Sequence, residues 1–126
     1  MNNPLTRRQF RGMVQNMLDN KKSRFVIKLD AKEDWILVTT HSLSNVSVWL
    51  QPSHCFVDLA LWHPSKDIVG TAVPPDAEDV STEKTRQFRW RIHPIDLTSL
   101  PFEQEGVLEF VERAKWAFDW VRENRV

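Results

Sequence analysis

Tyrosine is absent from the chain, cysteine occurs once, at Cys55, and glycine only three times. A single cysteine excludes any intrachain disulfide, so the fold must be held by its core alone, and it fits a reducing compartment. Gly12, Gly70 and Gly106 are scattered, which excludes a glycine-rich loop that cradles phosphate. Net charge is also lacking, with 17 basic residues against 17 acidic ones, so bulk charge favours neither nucleic acid nor a membrane surface. No apolar run is long enough to span a bilayer, and none follows Arg7-Arg8 as a signal peptide would require. The default location is cytoplasmic.

What the chain does have is tryptophan, six residues alongside seven phenylalanines. With 41% hydrophobic residues over 126 positions, the composition is that of one soluble domain, residues 1–126, able to bury a real core. The bland use of so many indoles is core packing; the sharper one is that some of them form a binding surface.

The stretch from Val46 to His63 carries the strongest pattern. Val46, Val48 and Leu50 alternate with Ser47, Trp49 and Gln51. Beyond Pro52-Ser53-His54, Val57, Leu59 and Leu61 alternate with Phe56, Asp58, Ala60 and Trp62. A period of two with β-branched and aromatic residues predicts two strands joined by a turn. Residues 24–30 and 35–41 read as two earlier strands, giving a four-stranded meander. Residues 67–73 could add a short edge strand, and 74–83 reads as an acidic surface loop. Residues 86–93 alternate cleanly, with Phe88, Trp90 and Ile92 toward the core. Residues 5–20 predict an N-terminal helix with an apolar stripe at Phe10, Met13, Val14, Met17 and Leu18. A long C-terminal helix opens at Leu100-Pro101 and keeps helical spacing through Val121. The expected fold is therefore α+β with two layers: an antiparallel sheet of about five strands packed by an N-terminal and a long C-terminal helix. In layout alone this order is similar to that of small secretion-chaperone domains, and no residue or activity is carried over from them.

No catalytic set emerges, and neither metal nor cofactor is implied. His54-Cys55 and His63 stand at opposite ends of one strand, about 26 Å apart, and no C-x-x-C or H-E-x-x-H spacing occurs. Asp58, a carboxylate in an apolar strand, calls for an arginine partner, Arg89 or Arg91. If both helices cover the aliphatic side of the sheet, the other side carries Arg24, Lys28, Trp49, Phe56, Trp62, Arg89, Arg91 and His93.

Three functions follow as expectations. The first is a small non-enzymatic binding or adaptor protein that uses an aromatic sheet or helix surface and self-associates, with a protein partner or a second copy. The second is single-stranded nucleic-acid binding, by stacking on the sheet indoles and phosphate contact from the arginines. The third is a small enzyme or ligand carrier with a pocket between sheet and last helix, lined by Trp116, Trp120 and Asp58. The candidate binding residues are Trp49, Phe56, Asp58, Trp62, Arg89, Arg91, His93, Trp116 and Trp120.

Overall fold

The computed structural model describes residues 12, 14, 16, 25–29, 35–51, 56–92 and 104–126. Six strands run in the order β1 (Phe25–Leu29), β2 (Ile36–Thr40), β3 (Val46–Gln51), β4 (Phe56–Trp62), β5 (Glu78–Asp79) and β6 (Thr85–Arg91). One long helix, α1 (Gln104–Asn124), closes the chain. The strands form one antiparallel sheet in the spatial order β1-β2-β3-β4-β6-β5.

The period-two pattern dictates which face each side chain takes. Val48 pairs with Leu59 and Leu59 with Phe88; Leu50 pairs with Val57 and Val57 with Trp90. These rows build a continuous aliphatic and aromatic face, and α1 lies on it. Phe118 of α1 meets Phe25, Trp120 meets Phe88, and Trp116 meets Trp90, with ring centroids 5.4, 6.2 and 5.7 Å apart. Phe110, Val111, Ala114, Ala117, Phe118 and Val121 are wholly buried against the sheet, the helical spacing expected of the covering stripe. Ala114 and Ala117 let the helix backbone approach closely.

The segment between β4 and β5 departs from the expected edge strand over 67–73. It opens with a 3₁₀ turn at Ser65–Asp67 and continues through successive reverse turns. Gly70 N–H donates to Asp67 O and Ala72 N–H to Val69 O, at 2.9 and 3.2 Å. Gly70 takes φ +61, the left-handed region that glycine enters without penalty, and this bends the chain away from any ladder. Val69 drops into the core instead. Arg86 of β6 donates to the carbonyls of Gly70 and Ala72, and the Trp90 indole donates to Pro75 O at 3.0 Å. The true edge strand, β5, falls inside the stretch expected to be loop, and the sheet has six strands where about five were expected.

Of the residues expected to form an N-terminal helix, only Gly12, Val14 and Asn16 are among the described ones, which is too few to show that helix; Val14 is buried in the core cluster. The other residues expected in that helix, the turn expected at Pro52-Ser53-His54, and Arg24 and His93 lie outside the described residues. Among the described residues, no helix is long and apolar enough to cross a membrane.

Candidate functional site

The second face of the sheet, away from α1, is built by the residues between those of the core rows. One row crosses four strands: Trp49 pairs with Asp58, Asp58 with Arg89, and Arg89 with Glu78. Asp58 is 0% exposed. A carboxylate without water must be matched by donors, and this one is. Arg89 Nε donates to Oδ1 at 2.8 Å and Nη2 to Oδ2 at 2.9 Å, a bidentate fork. Gln87, two residues earlier on the same face, donates to Oδ2 at 2.6 Å. The hydrogen bond that Arg89 donates to Asp58 raises its pKa above the ordinary value, against the opposing effect of burial. The guanidinium lies over the Phe56 ring, 3.9 Å from its centroid. Trp35 stands edge-on to both Trp49 and Phe56, at 5.8 and 5.5 Å. Of the two arginines expected as partners of Asp58, Arg89 is the one that binds it. Arg91 reaches Glu78 instead, at 3.5 Å, out in solvent.

On the other side of Trp49 the face opens into a shallow cleft of about 440 Å³. Leu37, Thr39, Ser47, Trp49 and Trp62 line it, together with the turn between β2 and β3. No charged side chain is among its described lining residues. Trp62 is 42% exposed at the rim, and its indole N–H donates to the Ser47 hydroxyl at 2.9 Å. That bond satisfies the one polar atom of the ring and sets its orientation.

A second groove, about 530 Å³, runs between α1 and the end of β6. Trp116, 36% exposed, stands in it beside Glu112, Lys115 and Asp119, with Arg91 and Ile92 on the opposite wall. The Arg113 guanidinium sits 5.1 Å from the Trp116 ring and 5.4 Å from the Trp90 ring.

The expected binding residues thus divide. Trp49 and Trp62 share the sheet-face cleft, and Trp116 and Arg91 share the helix groove. Phe56, Asp58 and Trp120 are interior and offer no surface to a partner; Trp120 is packed on Phe88 in the core. Asp58 and Trp120 also lie on opposite faces of the sheet, so no pocket holds both together with Trp116. Among the described residues no three of His, Cys, Asp and Glu are grouped so as to hold a metal ion. Sequence reasoning missed Gln87, Ser47, Trp35 and Arg113. Gln87 was findable, since it shares the parity of Arg89 and so must face the same carboxylate. Arg113 was findable as the i−3 neighbour of Trp116. Among known proteins, no family model, no curated protein and no solved structure matches this chain.

Proposed function

We propose that this chain is a small non-enzymatic binding protein whose working surface is the cleft on the second sheet face. The observation that carries this reading is Trp62: a large ring held at the rim of a charge-free cleft by its bond to Ser47. A pre-oriented indole presents much apolar area at little entropic cost, as interface anchors do. The lining is apolar with hydroxyls from Thr39 and Ser47, so the matching occupant is an uncharged aromatic or aliphatic side chain of a protein partner. The single cysteine fits a reducing compartment, and action in the cytoplasm is part of the proposal.

The charge pattern counts against single-stranded nucleic acid. Of the two described arginines expected to serve it, Arg89 is bound to Asp58 and Arg91 is drawn to Glu78, so neither is held ready for a phosphate.

Selection of displayed peptides on the folded chain tests the reading. Recovered peptides should carry an uncharged apolar anchor, and Trp62→Ala should weaken their binding by roughly tenfold or more, whereas Trp116→Ala should leave it unchanged. Binders indifferent to Trp62→Ala would remove the proposal. Strong quenching of tryptophan fluorescence by single-stranded DNA at low salt would replace it with the nucleic-acid reading.

A further inference from the structure

The solvent side of α1 carries a stripe spaced alternately by four and three residues: Leu108, Glu112, Lys115, Asp119 and Arg122. Val126 stands one step further, just past the helix end. This is the spacing with which one helix keeps contact with another along its length. Leu108 is 43% and Val126 94% exposed, two of the large hydrophobic residues the chain leaves in water. Among the described residues, Lys115, Glu112, Asp119 and Arg122 pair with one another, and Arg122 with Ser42. Lys115 reaches Glu112 at 3.9 Å and Arg122 reaches Asp119 at 3.0 Å, exposed contacts that contribute little to stability. Arg122 also donates to the Ser42 hydroxyl at 2.8 Å.

The order along the stripe is apolar, negative, positive, negative, positive, apolar. Reversed, every charge meets its opposite. A second copy laid antiparallel sets Glu112 against Arg122, Lys115 against Asp119, and Leu108 against Val126, each pair occurring twice. A parallel copy would set like against like along the whole length. The axis of the antiparallel pair passes between Lys115 and Asp119, level with Trp116, which flanks the stripe on its β6 side. That residue stands in the groove of about 530 Å³ that already runs beside α1.

We propose that the outer face of α1 is a self-association surface, and that the chain forms a two-fold dimer through antiparallel pairing of this helix with a second copy. The proposal is independent of the sheet-face cleft: it stands or falls on α1, whatever Trp62 binds.

Sedimentation at rising concentration, with a charge-reversal set, decides it. The native chain should dimerise in the micromolar range and dissociate more readily at high salt. Lys115→Glu sets Glu against Asp119 of its mate, and Asp119→Lys sets Lys against Lys115. Each variant alone should dimerise roughly tenfold or more weakly. Mixed one to one, the two variants should form a heterodimer of near-native affinity, because both crossed pairs become attractive again. Glu112→Arg with Arg122→Glu repeats the test at the second pair, and thermal melts show that each variant is folded. A native chain that stays monomeric at roughly 100 μM would overturn the proposal. So would a mixture that associates no better than its components, since changes confined within one chain cannot be repaired by mixing.

Discussion

Asp58 shows how one side chain can fix the character of a whole face. It sits in the middle of β4 with 0% exposure, and its two oxygens accept three hydrogen bonds from Arg89 and Gln87. Removing one member of such a pair leaves a buried charge without its counterpart, which costs about 3–5 kcal/mol in fully buried cases. Arg89 keeps some contact with water, so Asp58→Ala should fall toward the lower end, about 3 kcal/mol, read from urea unfolding. Replacing both with apolar residues, Asp58→Leu with Arg89→Met, should recover most of that loss, because neither charge then has to be stripped of water. If Asp58→Ala unfolds at the native urea concentration, the pair is not what holds β4 to β6.

At the scale of the element, the hairpin of β5 and β6 depends on polar groups rather than apolar ones. Ser81 sits just past β5, where its N–H donates to Asp79 Oδ1 at 3.0 Å and its hydroxyl accepts from Gln87 N–H at 2.9 Å. The Ser81 hydroxyl first, and its N–H second, hold the Asp79 carboxyl below its ordinary value. A folded-state value lowered in this way contributes stability above the unfolded value of about 3.9. That contribution is lost as pH falls through the lower, folded value. Ser81→Ala should therefore move the Asp79 midpoint, followed by carboxyl NMR shifts, back up toward the ordinary range. An unchanged midpoint would mean the hydroxyl is not the cause.

The same hairpin marks the limit of what the sequence makes legible. β3, β4 and β6 were readable because apolar and polar residues alternate over six or seven positions, and parity placed Arg89 and Arg91 alike on the Asp58 face without choosing between them. β5 is Glu78-Asp79, two acids with no alternation to see; it is a strand only because β6 lies beside it. Residues 67–73 misled in the opposite way. Ile68, Val69, Ala72 and Val73 have strand composition, yet Gly70 and the carbonyl contacts from Arg86 turn them into a strap. For the candidate site, the exposed Trp62 and Trp116 were readable as aromatics. That Phe56 and Trp120 are interior could not be read, since burial depends on ring partners from distant strands.

At the scale of the whole molecule, the strap from β4 to β5 ties together parts far apart in sequence. Arg86 donates to the carbonyls of Gly70 and Ala72, the Trp90 indole to Pro75 O, and Val126 N–H to Ile68 O at 2.9 Å. The end of the chain after α1 is thus bonded to the strap, and the strap to β6. Arg86→Ala strips two carbonyls of a charged donor, a loss of about 1.5–3 kcal/mol. Amide exchange at Ile68, Gly70 and Ala72 should quicken well before that of the central strands. Exchange that stayed slow at those three amides would show that Val69, Trp90 and Val126 hold the strap without Arg86.

The short length of β5 has a consequence for how this protein would fail. A sheet edge is a template on which another chain can add a strand, and fibres grow from edges that are long, flat and uncharged. β5 is two residues long and bears two carboxylates, so it ends the sheet with repulsion. β1, at the other end, is five residues of sequence Phe-Val-Ile-Lys-Leu. Lys28 is the single charge in those five residues, so aggregation of a destabilised variant should start from β1 rather than β5, and Lys28→Val should hasten it; segments along β1 should be the first protected from proteolysis as deposits form.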